Sequence, residues 1–309
     1  MNPILPFLRH QGFMMLDGGL ATTLEAHGCD LNDSLWSART LLETPELIKE
    51  VHRGFLDCGA DCIATVSYQA TVAGFVTHGY STVEARSLIR LAAEIACEAR
   101  AEFWGDQGSI DTSLKPLVAA SVGPYGAYLA DGSEYVGDYP LGEDGLYEFH
   151  AERWQLLTDT DVDLMACETI PSFAEAKALV RLIEETENCW AWLSCSCRDG
   201  QNISDGTPIV EVARMCDTQE RVVAVGVNCV SPSLVLALIG EIRRGTEKPI
   251  VVYPNSGELY DAERKAWTGR VEQGEWALDD WKAAGAEIFG GCCRVMPEAI
   301  RAMRDRLGH

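Results

Sequence analysis

Eight short apolar runs rich in β-branched residues, each followed by a longer amphipathic stretch, recur along the chain from residue 14 onward. Apolar runs of this length read as strands, and apolar residues recurring every three or four positions read as helix. The spacing predicts strands at Met14–Gly19, Cys62–Ser67, Leu117–Gly123, Leu164–Thr169, Ala191–Cys197, Val222–Cys229, Pro249–Pro254 and Glu287–Cys292. Helices are predicted near 44–58, 82–104, 143–160, 173–187, 208–217, 232–243, 275–284 and 297–307. At Thr44-Pro45 and Ser231-Pro232 a hydroxyl precedes a proline, the pattern of a capping residue ahead of the first helical position. Strand-helix alternation builds a parallel sheet with helices outside it. Eight units in 309 residues suit closure into a single (β/α)8 barrel, an α/β fold spanning residues 1–309 as one domain. An open doubly wound sheet shares the alternation, but no G-x-G-x-x-G follows the first strand to favour it. The segment before Met14 is expected to cap the barrel bottom. Residues 125–142 (YGAYLADGSEYVGDYPLG) form a long loop after the third strand, on the face where barrel enzymes keep their sites.

Charge narrows the partners. With 25 basic and 47 acidic residues the net charge is −22, and no basic stripe stands out to meet phosphates. Nucleic acid and anionic membrane surfaces are therefore not expected partners. No apolar run approaches the roughly 20 residues that span a bilayer. The first residues carry no charged region ahead of their apolar stretch, so no secretory signal is read and a cytoplasmic protein is expected. Twelve cysteines in such a chain read as buried thiols, metal ligands or catalytic groups rather than as a disulfide scaffold.

Reactive groups in barrels come from the C-terminal ends of strands. That filter selects Asp17-Gly18-Gly19, Ser67-Tyr68-Gln69, Cys167-Glu168-Thr169, Asn228-Cys229, Pro254-Asn255-Ser256-Gly257-Glu258 and Gly290-Gly291-Cys292-Cys293-Arg294. Three thiols, Cys229, Cys292 and Cys293, thus fall at one end of the barrel. Three thiolates with one vacant position are the pattern of a catalytic zinc, whereas structural zinc takes four protein ligands. Adjacent strand residues point to opposite faces, so Cys292 and Cys293 reach one ion only if the pleat breaks, and Gly290-Gly291 offers that freedom. The C-x-C pair Cys195 and Cys197 is a rival ligand set, and any single cysteine is most often a small buried hydrophobe. Asp17 in a turn reads first as a backbone cap. Glu168 ends an apolar strand, and a buried carboxylate needs a cation. Trp36, Tyr68, Tyr125, Tyr128 and Tyr135 are rim packing or a cation–π surface for a positively charged substrate. No histidine sits at a strand end, and no P-loop, H-E-x-x-H or G-x-S-x-G is present. On these residues alone, a zinc enzyme, a non-catalytic zinc or thiol barrel, and a barrel lyase or aldolase using its carboxylates all stand.

The segments LDGGLATTLE (16–25), SYQAT (67–71), SVGPYGAYLADGSEY (121–135), CETIP (167–171), SDGTP (204–208), GVNC (226–229), VVYPNSGE (251–258) and GGCCR (290–294) resemble the homocysteine S-methyltransferase family. The runs at 121–135 and 251–258 look like its stand-alone branch, which takes methyl from S-methylmethionine. The resemblance implies a zinc-dependent barrel enzyme of methionine formation, with Cys229, Cys292 and Cys293 on Zn2+. It places Asp17, the Gly18 backbone, Glu168 and Asn255 around homocysteine, and Tyr68 near the methyl-transfer axis. Cys195 and Cys197 fall outside the family's zinc motif. From the chain length, folate or corrinoid modules and the extension of the betaine-using branch are not expected. The implied donor is a sulfonium, S-methylmethionine or S-adenosylmethionine.

Overall fold

Because residues 14–16 alternate between two apolar surroundings, the first strand must be buried on both faces. The computed structural model, which describes residues 1–29, 36–106, 114–261, 266–268 and 276–308, shows that it is. Eight parallel strands form one sheet: β1 (Met14–Met15), β2 (Cys62–Ala64), β3 (Leu117–Val122), β4 (Leu164–Ile170), β5 (Ala191–Cys195), β6 (Val222–Asn228), β7 (Ile250–Tyr253) and, after a small antiparallel pair β8 (Leu259–Asp261) and β9 (Ala266–Thr268), β10 (Ala286–Phe289). Sheet neighbours run β1-β10-β7-β6-β5-β4-β3-β2. A parallel bridge between Leu16 and Cys62 then brings the first edge to the last, with the Asp17 amide donating to the Cys62 carbonyl at 3.0 Å. The predicted (β/α)8 barrel is the observed fold, and the open-sheet alternative falls.

Strand parity divides the core in two. Met14, Leu16, Ala119, Leu164, Ala166, Trp192, Ala224, Val251 and Ile288 fill the barrel interior, while Met15, Val118, Ala120, Met165, Leu193, Val225, Val252 and Phe289 pack against the helices. The expected bottom cap is a helix, Leu5–Gln11, whose Phe7 joins Ile4 in the interior cluster. The major helices, including Pro45–Asp57, Thr82–Asp106, Glu143–Thr158, Phe173–Glu185 and Pro297–Leu307, fall where periodicity predicts them.

Three details depart from expectation. β1, β2 and β10 are shorter than predicted: their ladders end at Met15, Ala64 and Phe289, though Asp17 still donates to the Cys62 carbonyl and Gly290 to that of Val252. The hydroxyls of Thr44 and Ser231 do not cap their helices; Thr44 Oγ1 donates back to the Thr40 carbonyl and Ser231 Oγ meets Ser233 Oγ. Proline at the first helical position, with its φ fixed near the helical value and no amide of its own, marks each start whether or not the hydroxyl caps it. The 125–142 loop contains a short helix, Tyr125–Leu129, and a 3-10 turn, Ser133–Tyr135.

Candidate active site

At the C-terminal end of the strands the barrel interior turns polar, one parity step above its apolar layers. Ala119 is followed two positions on by Ser121, Ala166 by Glu168, Trp192 by Ser194, and Val251 by Tyr253. Asn228 follows Ala224 and Gly226 on the same face. These five polar side chains form a connected layer. Ser121 Oγ donates to Glu168 Oε1, and Tyr253 OH also meets that carboxyl. Trp192 Nε1 donates to Tyr253 OH at 2.9 Å, and Ser194 Oγ lies 2.5 Å from the same hydroxyl. Ser194 Oγ donates to Asn228 Oδ1 at 2.8 Å, and Asn228 Nδ2 faces Cys292 Sγ at 3.9 Å.

Above this layer opens a cavity of about 320 Å³ lined by Asp17, Gly18, Tyr68, Gln69, Glu134, Glu168 and the three cysteines, among others. Gly18 is required by space: a Cβ there would sit 2.4 Å from the Val295 carbonyl oxygen. No Lys, Arg or His lines the cavity among the described residues. Three carboxylates and three sulfurs therefore share it without a basic side chain.

The sulfurs meet because the backbone turns twice. Cys229 leaves β6 at φ 51°, and the turn after β10 passes through Arg294 at φ 67°, both in the left-handed region that non-glycine residues seldom occupy. Cys292 and Cys293 lie beyond β10 in that turn, so the strand pleat does not separate them. The Cys292 amide donates to the Pro254 carbonyl, and the Ser256 amide to that of Cys293. Arg294 Nε donates to Glu258 Oε2 at 3.0 Å, tying the turn to the loop after β7. Gly290 and Gly291 serve by their size, since a Cβ on Gly291 would lie 2.1 Å from Val295 Cγ1.

Cys229, Cys292 and Cys293 place their sulfurs within 4.8 Å of one another, the one such group of potential metal ligands among the described residues. Cys229 and Cys292 are joined as a disulfide, and Cys293 Sγ lies 4.0 Å from Cys229 Sγ. Tetrahedral zinc with Zn–S near 2.3 Å sets its sulfurs about 3.8 Å apart, so once the bridge is reduced the set fits such an ion. Burial pushes the Cys293 thiol up to about 12, with Glu134 and Glu168 adding to the rise against its own amide, so it needs a cation to become a thiolate.

The carboxyls are perturbed in the same sense. Burial holds Asp17 well above the ordinary range, against the Ala64 amide, which donates to Oδ2 at 2.8 Å; the nearby Glu168 raises it further. Burial also raises Glu168, with Ser121 and Tyr253 opposing. Both are acids waiting for a positive charge.

Of the predicted residues, Asp17, Gly18, Tyr68, Glu168, Cys229, Cys292 and Cys293 line one cavity, and Asn255 is not among the lining residues. Tyr135 lines it too, but Tyr125 and Tyr128 pack on Phe149, with ring centroids 4.9 and 5.5 Å away, and serve the loop rather than the site. Trp36's side chain lies outside the described residues. Cys195 is buried in the shell between sheet and helices, with Cys197 packed against that cluster; neither lines the cavity, as the bland reading expects. Sequence reasoning missed Ser121, Glu134, Ser194 and Tyr253, and gave Asn228, which the strand-end filter selects, no role of its own. It also missed a buried support: Arg153 donates to the carbonyls of Tyr68 (3.1 Å) and Gly123 (2.7 Å) and to His150 Nδ1 (2.7 Å). His150 Nε2–H is thereby left to donate to Glu175 Oε1 at 2.8 Å, which also accepts from the Tyr125 amide.

Fold and site together define a parallel-barrel protein with a cysteine triad able to hold a metal beside a carboxylate-lined cavity. The family model for homocysteine S-methyltransferase matches residues 14–307. A relative from Bacillus subtilis (strain 168), homocysteine S-methyltransferase YbgG, is 50% identical over 303 residues, covering 97% of this chain and 96% of its own. The crystal structure of the metallated form of the Escherichia coli homocysteine methyltransferase MmuM superposes with TM-score 0.89 at 43% identity, covering 99% of this chain and 100% of that one. Its oxidized form also gives 0.89, at 42% identity and the same coverage. The chain belongs to the homocysteine S-methyltransferase family. None of its described helices is long and apolar enough to cross a membrane.

Proposed function

We propose that this protein transfers a methyl group from a sulfonium donor, S-methylmethionine foremost and S-adenosylmethionine second, to the thiol of L-homocysteine, giving methionine, with zinc held by Cys229, Cys292 and Cys293. The observation that carries the reading is the cavity itself: three sulfurs within 4.8 Å of one another beside paired acids, with no basic side chain in its lining among the described residues.

A free thiol with pKa near 8.5 is mostly protonated at neutral pH; zinc, when bound, supplies the charge that makes the homocysteine sulfur a thiolate. The chain's residues do the rest. Glu168 and Asp17 take the homocysteine ammonium, which restores their ionisation, and the Gly18 backbone lies against the same end. Asn228 directs its amide at Cys292 Sγ and steadies that sulfur as an anion. Tyr68, held from behind by Arg153, borders the line between acceptor sulfur and methyl carbon. The acceptor sulfur's electron pair forms the new C–S bond, and the old C–S pair leaves with a neutral thioether. The thiol proton goes to solvent before attack. Because the leaving group is neutral, no general acid is required, in keeping with a cavity lining that holds no histidine among the described residues. Charge neutralisation in a dry, aromatic-walled pocket favours the step. A lyase or aldolase reading leaves the sulfur cluster unused.

Product counting tests the proposal. Reduced, zinc-loaded protein with homocysteine should form two methionines per turnover from S-methylmethionine, and one, with S-adenosylhomocysteine, from S-adenosylmethionine. Faster turnover with betaine than with either sulfonium would refute it.

A further inference from the structure

The third carboxylate of the cavity has no task in the chemistry above. Glu134 lies in the turn Ser133–Tyr135, beyond the third strand, on a different element from Asp17 and Glu168. Its backbone is fixed. Ser196 Oγ donates to the Glu134 carbonyl at 2.9 Å, and Ser204 Oγ lies 2.9 Å from Ser196 Oγ. A Cβ on Gly126 would come within 2.3 Å of the Glu134 nitrogen, and Gly137, at φ 76°, packs on the Pro171 carbonyl. The turn is seated on the barrel rather than hanging over it.

The side chain lines the cavity, and its Oε2 is buried with no hydrogen-bond partner. Gln69 Oε1, lining the same cavity, is buried and unpartnered as well. Two orphan acceptors in one cavity call for a ligand that carries N–H donors, and a buried carboxylate calls for a cation. A sulfonium centre supplies charge but no donor hydrogen. A quaternary ammonium lacks one equally. An α-ammonium supplies both. Homocysteine brings one ammonium, already matched by Glu168 and Asp17, so the second ammonium must belong to the methyl donor.

We propose that Glu134 binds the α-ammonium of the methyl donor, with Gln69 as a second acceptor, and so restricts the enzyme to sulfonium amino acids. This rests on the proposed methyl-transfer reading and adds its donor specificity. Sites built to hydrogen-bond a substrate group reject analogues lacking it far more strongly than apolar pockets reject a missing methylene. That selection also predicts a poor response to betaine, whose nitrogen carries no hydrogen.

The test uses the zinc-loaded enzyme with homocysteine and two donors, S-methylmethionine and its desamino analogue 4-(dimethylsulfonio)butanoate. Wild type is expected to prefer S-methylmethionine by about a hundredfold or more in kcat/KM. Glu134→Gln should raise the S-methylmethionine KM by about tenfold or more and lose most of that preference. Its homocysteine KM should stay within about twofold of wild type, and its zinc content and melting temperature should not change. Glu134→Asp should recover part of the preference. An unchanged donor KM in Glu134→Gln, a rise in homocysteine KM instead, or a wild type indifferent to the donor's amino group would overturn the assignment while leaving methyl transfer standing. A wild type that transfers from no sulfonium would overturn the proposed function, and this assignment with it.

Discussion

Asn228 is bonded twice to Thr169: its Oδ1 accepts from the Thr169 amide at 2.7 Å, and its Nδ2 donates to Thr169 Oγ1 at 2.7 Å. Thr169 has φ 60°, a conformation a β-branched residue rarely adopts, and it follows Glu168 directly. The asparagine therefore holds in place the kink that interrupts the carboxylate-bearing strand just before its last residue, while its amide also faces a cavity sulfur.

Removing that brace should be costly. Asn228→Ala leaves the buried Thr169 amide without its acceptor and takes one partner from Thr169 Oγ1, which keeps Tyr68, at about 1–3 kcal/mol for a stranded group. In urea denaturation the loss should reach about 3 kcal/mol. Thr169→Gly, which removes both the strained β-branched side chain and the hydroxyl, should cost less in the Asn228→Ala background than in wild type. Additive losses across the four proteins would count against the coupling.

Glu168→Gln should raise the homocysteine KM at least tenfold and leave zinc content intact, because breaking a buried charged pair costs roughly 3–5 kcal/mol. Since burial raises this carboxyl, inhibition by L-norleucine, which carries the ammonium but no thiol, should strengthen as pH rises through the folded value. A KM change under about twofold would exclude the role.

The disulfide between Cys229 and Cys292 occupies two of the three ligand sulfurs. Protein isolated with that bridge should bind no zinc until a thiol reductant supplies two electrons. Reduced wild type should bind one zinc per chain, and Cys229→Ser and Cys292→Ser should bind little. Cys195→Ser and Cys197→Ser should retain the metal. Metal analysis before and after reduction decides; full zinc retention with normal activity in either ligand variant would sink the assignment.

Arg153, buried among Tyr68, Gly123, His150 and, through His150, Glu175, should resist single substitution. Arg153→Met leaves Glu175 buried without a cation and should cost about 3–5 kcal/mol. Adding Glu175→Gln should recover part of that loss. Denaturation midpoints of the two variants provide the comparison, and a double variant less stable than Arg153→Met would reject the pairing.

His52 lies fully buried on the helix Pro45–Asp57 with neither ring nitrogen bonded, and burial lowers its pKa to about 4. Below the unfolded value of about 6.5, the unfolded chain takes a proton that the folded chain refuses until about pH 4. Stability should therefore fall as pH drops through that window, by roughly 3 kcal/mol at 1.36 kcal/mol per unit. The raised carboxyls Asp17 and Glu168 act in the opposite sense, so the difference between wild type and His52→Phe isolates the histidine. Parallel pH–stability curves for the two would dismiss it.

The barrel is legible in the sequence because both faces of its strands are buried, and the resulting apolar runs contrast with amphipathic helices. Strand ends are less legible, since at β1 and β10 the regular ladder gives way to scattered backbone bonds, such as Asp17 to Cys62 and Gly290 to Val252, that no change in residue type marks. Glu168 stands out as a charge ending an apolar run. Ser121, Ser194 and Tyr253 look like ordinary strand residues, yet counting two positions from Ala119, Trp192 and Val251 would put them on the inward face beside it. Glu134 carries no such signal. It sits in a loop without period, and only the packing of Gly126 and Ser196 against its backbone brings it to the cavity. Tyr125 and Tyr128, on the same loop, advertise an aromatic wall and instead stack on Phe149.

β1 is two residues long and pairs with β10, Met14 beside Ile288 and Met15 beside Phe289. On the ribosome the first strand must wait for more than 270 residues to be made before that neighbour exists. Cys292 and Cys293 leave the tunnel just behind it. Ring closure and gathering of the thiols are thus one late event, so the nascent chain carries Cys229 through the 63 positions that separate it from Cys292 with no completed metal cage to receive it. Oxidation of these thiols therefore has an opening on newborn chains as well as on finished ones.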